Sequence, residues 1–207
     1  MNKLTEPNKN CSKCKRLYNF RKENKSNNPE WFNAPVPSFG DFSSSLLIVG
    51  LAPGLQGANK TGRPFTGDYA GDLLYKTIYK FGLSNGKYMG SIDDNLSLED
   101  CTITNAVRCV PPKNKPISEE INNCNIFLQN TINKHKNLKV IIALGLIAHK
   151  SIISALNLQQ KLYKFKHGNK HYFNNFIMID SYHCSRYNTN TGRLNEKMFE
   201  NIFSEAK

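Results

Sequence analysis

The sequence predicts an α/β protein with a mostly parallel central sheet and helices on both faces. Four short apolar runs, at residues 46–50, 102–107, 138–144 and 176–180, alternate with stretches whose apolar residues recur at helical spacing. The runs are apolar or β-branched almost throughout, the pattern of strands buried on both faces; a half-exposed strand would alternate. Polar, glycine-bearing segments follow the carboxyl ends of several runs, and that edge of such a sheet holds the ligand.

Each element has its own justification. Residues 1–45 lack regular periodicity and read as an N-terminal arm with one short helical or turn segment, so 1–207 is expected to form one domain. The arm is basic (Lys13, Lys15, Arg16, Arg21, Lys22, Lys25), then carries Trp31, Phe32, Pro35 and Pro37; Cys11 and Cys14 are the handles that would tie it down. Residues 46–50 (LLIVG) form a strand that runs into a loop bearing Gly54, Gly57, Gly62 and Gly67. A helix over 72–81 follows, with Leu73, Leu74, Ile78 and Phe81 on one face and Gly82 as its stop. Residues 84–97 read as a polar loop, and 102–107 (TITNAV) as a strand. Ser118 is a fitting N-cap, with Glu119 and Glu120 well placed for the dipole of a helix carrying Ile121, Cys124, Phe127, Leu128 and Ile132. Residues 138–144 form a strand that Gly145 turns into a helix over 146–156. A hairpin around Gly168 (162–173), a last core strand (176–180), a polar loop (181–192) and a closing helix (194–203) complete the chain.

The formal charge of +12 over 207 residues suits a polyanionic partner, nucleic acid first, although a merely solvated basic surface would read the same. The polar start carries no apolar core of a signal peptide, and the longest apolar run, 140–148, is too short to cross a bilayer. A soluble, intracellular protein without membrane contact is expected. In a reducing compartment its six cysteines are metal ligands, catalytic groups or small core residues before they are disulfides.

Three loops lie at the expected ligand edge: 50–68, 105–115 and 181–193. The first is nearly uncharged in its first half, and its glycines let main-chain groups approach a small polar, flat or anionic ligand. Residues 54–61 nearly match a phosphate-binding P-loop, with Asp180 as the magnesium-holding acid. That reading fails on mechanics, because Gly62, Arg63 and Pro64 break the helix that Lys60 and Thr61 would have to open. In the third loop, His183 sits just past a core strand beside Ser185, Arg186 and Arg193. In the second, Asn105 interrupts an apolar strand, where its amide must be either a satisfied core group or a reader of a flat, amide-bearing ligand.

The ordered motifs GLAPG (50–54), GRPFTGDYAGDLL (62–74), ITNAVRCVPP (103–112) and SYHCSRYNTNTGRL (181–194) together resemble the iron–sulfur uracil-DNA glycosylases, the branch usually called type 5. The resemblance spans residues 11–194 and implies a uracil-DNA glycosylase-like fold and hydrolysis of the N-glycosidic bond of uracil in DNA. It implies that main-chain groups of Gly50, Leu51, Ala52 and Gly54, with Asp68, grip a flipped-out base and the attacking water. Phe65 would stack on the uracil, Asn105 would read its edge against cytosine, and His183 would donate to O2 as charge develops on the leaving base. Ser185, Arg186 and Arg193 would face the DNA. The second residue of the first motif, acidic in the type 4 branch, is Leu51, so Asp68 is the expected catalytic carboxylate and Asp72 a weaker candidate that caps its helix. His183-Cys184-Ser185 stands where the family has His-Pro-Ser, a change that frees φ at Cys184 without removing the chemistry.

Spacing alone allows Cys11, Cys14, Cys109 and Cys124 to hold either a zinc ion or an iron–sulfur cluster. The resemblance implies a 4Fe–4S cluster with a structural role, stapling the arm to the sheet and leaving Cys101 and Cys184 as spare core residues. A monomer acting on DNA that contains uracil or other deaminated bases follows. The rival reading is a non-enzymatic nucleic-acid binder with a four-cysteine zinc staple, which leaves the GLAPG and HCS loops without a role.

Overall fold

The computed structural model describes residues 5–207; the first four residues of the polar start lie outside it. Its elements in chain order are α1 (Lys15–Asn27), β1 (Phe39–Gly40), β2 (Leu46–Gly50), α2 (Ala58–Thr61), α3 (Tyr69–Lys80), β3 (Ser84–Asn85), β4 (Ser97–Leu98) and β5 (Cys101–Asn105). Then come α4 (Ser118–Lys134), β6 (Val140–Leu144), α5 (Leu146–Ala155), β7 (Lys170–Tyr172), β8 (Ile177–Ser181), α6 (Arg186–Asn190) and α7 (Glu196–Ser204).

Six strands form one sheet in the order β1-β5-β2-β6-β8-β7. The four central strands run parallel, and the short outer strands β1 and β7 pair antiparallel to their neighbours. The four apolar runs are those central strands, and β2, β5 and β6 are buried along their whole length. Alternate residues serve the two faces. Ile48, Ile103, Ile142 and Ile179 pack under α3 and α7, while Val49, Ile141, Ala143 and Met178 pack under α4 and α5. The expected mostly parallel sheet with helices on both faces is therefore present.

Register places the functional ends. Gly50 pairs with Asn105, so the last residues of β2 and β5 lie side by side where their loops begin. The backbone stays together just beyond them, with Ala106 N donating to Gly50 O and Val107 N to Leu51 O.

Several boundaries differ from expectation for identifiable reasons. Helix α3 starts three residues before Asp72, because Asp68 caps it: Oδ1 accepts from Gly71 N at 3.1 Å. Asp72 is an exposed first-turn residue. Helix α4 is capped at Ile117, not Ser118, because Glu120 reaches back to Ile117 N at 2.9 Å. The 84–97 loop contains the two-stranded β3–β4 ribbon, held by a buried ion pair between Arg63 and Asp94. No hairpin turns at Gly168; β7 pairs instead with β8 through the turn at 173–176. The polar loop after β8 contains α6, and α7 begins at Glu196 behind an Asn195 cap.

The arm is docked along its length. Arg16 makes a two-pronged pair with Glu120 at 2.7 and 2.8 Å. Arg108, 1% exposed, reaches Glu6 and Ser38 at 2.9 Å and Thr131 at 2.9 Å. Cutting a buried arginine from such a network costs about 3–5 kcal/mol, since it leaves uncompensated partners behind. No helix among the described residues is long and apolar enough to cross a membrane.

Candidate active site

A cleft of about 710 Å³ opens at the carboxyl edge of the sheet. The first loop contributes Leu51, Ala52, Gly54 and Asp68 to its lining, and the third contributes His183, Ser185, Arg186 and Arg193. The second contributes Asn114. Two further walls were not anticipated: the β6–α5 turn (Leu144, Gly145, Leu146, Ile147) and Phe165. A glycine between an apolar run and a helix was the available signal for the first. Gly145 has φ +96°, and a Cβ there would sit 3.3 Å from His183 Cβ. The turn thus sets how closely His183 can approach the sheet.

Gly50, Phe65 and Asn105 do not line the open cleft. They are packed together behind it, meeting it through His183, whose ring lies 6.0 Å from that of Phe65 at 26°. A Cβ on Gly50 would fall 2.4 Å from Phe65 Cζ and 2.5 Å from Asn105 Oδ1, so only glycine lets these two groups flank the strand end. Asn105 is 3% exposed, and its Oδ1 has no hydrogen-bond partner among the described residues. An orphaned buried amide oxygen costs about 1–3 kcal/mol, so it is a prepared acceptor for a missing donor. Phe65 has φ +56°, a conformation that costs a bulky residue about 1–2 kcal/mol and so requires a fixed backbone around it. Gly71 makes it feasible, because a Cβ there would lie 1.8 Å from Phe65 O.

Asp68 combines two tasks. Oδ1 caps α3, while Oδ2 faces the first loop, where a Cβ on Gly54 or Gly57 would approach it to 3.2 or 2.7 Å. Burial raises the pKa of Asp68 above the ordinary carboxylate value, opposed by the Gly71 and Ala70 amides and reinforced by Asp72. For His183, burial alone pushes the imidazole down to about 4, so the ring is neutral at pH 7. Cys184 points inward, 0% exposed, with Sγ 3.5 Å from Ala70 O. Ser185 caps α6 by accepting from Asn188 N at 3.4 Å. Arg186 and Arg193 lie over the rings of Tyr69 and Tyr182 at 5.1 and 4.5 Å, both exposed at the cleft rim.

The P-loop alternative loses its parts. Helix α2 ends after Thr61, Lys60 stacks over Trp31 at 5.8 Å, and Asp180 is buried between His149 (2.7 Å) and His171 (3.0 Å). That histidine–aspartate cluster was not anticipated, and it fastens the 163–169 segment beside β8: His149 Nε2 meets Tyr163 O at 3.0 Å.

Cys11, Cys14, Cys109 and Cys124 converge on one small apolar site with Leu17, Val107 and Phe127. All six cysteines are free thiols. Burial first, and then the neighbouring thiols, push Cys109 up to about 12 and Cys124 up to about 11.

The fold and the likeness to known proteins define the class. The chain belongs to the uracil DNA glycosylase superfamily: residues 37–207 match the family model described as "Uracil DNA glycosylase superfamily". Within it, the chain is similar to proteins named Type-5 uracil-DNA glycosylase. It is 40% identical to that of Thermus thermophilus over 95% of this chain and 92% of the relative. It is 35% identical to that of Pyrobaculum aerophilum (95% and 88%) and 34% to that of Mycobacterium leprae (95% and 90%).

Proposed function

We propose that the protein is a DNA-repair glycosylase that hydrolyses the N-glycosidic bond of uracil in DNA and leaves an abasic site. One observation carries the reading: the orphaned Asn105 Oδ1 beside the buried Phe65 ring, behind a cleft that bears His183 and Asp68. Uracil N3–H supplies the missing donor and O4 accepts from the Asn105 amide; cytosine presents the opposite pattern. The target nucleotide must leave the stack for its glycosidic carbon to be reached.

The bond breaks with its electron pair going to uracil N1, and neutral His183 donates a hydrogen bond to O2 as the base becomes an anion. Water attacks the sugar carbon, oriented by Asp68 Oδ2, whose negative charge also offsets the cationic sugar. Gly50, Leu51, Ala52 and Gly54 supply the close main-chain wall. Ser185 sets the α6 end of the DNA-facing loop, and Arg186 and Arg193 meet phosphates. The enzyme acts as a one-domain monomer inside the cell and accepts other deaminated bases through the uncharged wall at Leu51 and Ala52. A uracil-containing oligonucleotide should be cleaved only after alkali treatment; an oligonucleotide left intact by alkali would overturn the activity.

Capping and chemistry at Asp68 separate by substitution. Asn caps a helix as well as Asp, so Asp68→Asn should keep the folding stability and slow excision strongly. Asp68→Ala should lose both, with about 1 kcal/mol of stability gone. Equal excision by wild type and Asp68→Asn in single-turnover assays would transfer the water to another group.

The four converging cysteines offer an all-thiolate donor set that fits a 4Fe–4S cluster, the group that the likeness to type-5 glycosylases favours over zinc. Cys11 and Cys14 would hold it from the arm, Cys109 from the loop after β5 and Cys124 from α4, and it would act as a structural staple. Burial holds the Cys109 and Cys124 thiols well above neutral pH, and a cationic iron centre bound there would supply the charge that lets them ionise. Cys109→Ser should lower iron content and stability, whereas Cys101→Ser should keep both, measured by iron analysis and thermal unfolding.

A further inference from the structure

Two stacked tyrosines grip the backbone that presents Phe65. Tyr75 and Tyr88 lie ring on ring, 4.3 Å apart at 20°. Tyr75 OH donates to Pro64 O at 2.6 Å. Tyr88 OH donates to Phe65 O at 3.2 Å and accepts from Gly67 N at 3.0 Å, filling both roles of a single hydroxyl. Together the two hydroxyls hold the carbonyls on either side of Phe65, the one residue of the loop whose φ is positive without being glycine, and Tyr88 reaches on to one residue short of Asp68.

Tyr88 is itself held from the same loop. Asp94 accepts from Met89 N at 3.1 Å and from Leu96 N at 3.2 Å, and pairs with both terminal nitrogens of Arg63 at 2.8 and 2.7 Å. Arg63 also reaches Ser91 O at 2.7 Å, and its guanidinium lies over the rings of Phe39, Tyr75 and Tyr88. The circuit is closed: Arg63 fixes Asp94, Asp94 fixes the 88–94 segment, and Tyr88 returns to Phe65, two residues after Arg63. A segment that only covered the core would have no need to return a hydroxyl to this carbonyl and amide.

We infer that Tyr88 is a positioning residue for base recognition: its hydroxyl clips Phe65 in the left-handed conformation that turns its ring toward Asn105 and His183. This rests on the reading of Phe65 as the surface on which uracil stacks. The clip acts on the base-binding geometry, leaving contacts with the DNA backbone untouched.

Tyr88→Phe removes only the hydroxyl and keeps the stack on Tyr75. Single-turnover uracil excision should fall about tenfold, the scale of losing one or two hydrogen bonds. Inhibition by free uracil should weaken by a similar factor, with unchanged binding to abasic DNA and little change in Tm. In a Phe65→Ala background the Tyr88→Phe penalty should vanish, because no ring remains to be aimed. Wild-type excision and uracil inhibition by Tyr88→Phe, while Phe65→Ala is impaired, would overturn the clip and leave the stacking reading standing. Undiminished excision by Phe65→Ala would overturn both. A Tyr88→Phe penalty that persists at full size in the Phe65→Ala background would also overturn the clip.

Discussion

Replacing His183 with alanine is expected to slow single-turnover excision of uracil roughly a hundredfold or more, the cost of one preorganised donor aimed at a developing anion. Binding to abasic DNA should barely change, since the leaving base is absent. A better leaving group needs less help. With 5-fluorouracil in the DNA the penalty for losing His183 should shrink, while the penalty for losing Asp68, proposed to act on the water and the sugar, should persist. Equal penalties on the two bases would reduce His183 to a loop-shaping residue. The pH behaviour gives a second check. The folded imidazole titrates near 4 and its unfolded counterpart near 6.5. Between those values the unfolded chain binds more protons, so this contribution to stability is complete above pH 6.5 and declines as the pH falls toward 4. The decline should be smaller in His183→Ala, measured by denaturant unfolding at pH 7 and pH 5.

Asn105→Asp is expected to abolish most uracil excision. The carboxylate offers no donor to uracil O4 and adds a charge to a site that is 3% exposed. Asn105→Ala should also excise poorly, and it discriminates between readings of the orphaned oxygen. Removing an unpaired buried acceptor should cost little stability, whereas removing a satisfied core amide should cost about 1–3 kcal/mol. Loss of excision with stability retained is the expected combination. Loss of both in proportion would make Asn105 a structural residue.

How much of this was legible in the chain follows from how local each signal is. The strands were, because β2, β5, β6 and β8 are runs of mostly apolar or β-branched residues, as burial on both faces demands. The start of α3 was not: Tyr69, Ala70 and Gly71 carry little helical signal, and it takes the Asp68 carboxylate on Gly71 N to begin the helix there. The ribbon at 84–98 was read as a loop because its structure depends on Arg63 meeting Asp94 across 31 positions. The same distinction runs through the site. His183, Asp68, Phe65 and Asn105 lie within short ordered motifs, and the fold brings them to one edge of the sheet. Tyr88, Phe165 and the Gly145 turn come to that edge by tertiary packing alone, with no local pattern to mark them.

The docking of the arm carries a consequence for synthesis. Its partners lie far downstream: Glu6 meets Arg108 across 102 positions, and Arg16 meets Glu120 across 104. A chain emerging from the ribosome therefore makes Cys11 and Cys14 first and must extend to Cys109, and then to Cys124, before the four can come together. Closing a loop of that length is slow compared with forming α1 or the β2–α3 unit, whose contacts are local. The stretch that bears Cys11 and Cys14 therefore waits for residues 107–124, whereas residues 32–33 of the same arm already pair with residues 59–60. Until that stretch docks, Cys11 and Cys14 lack the half-buried surroundings they have in the finished fold, and are the more exposed to oxidants.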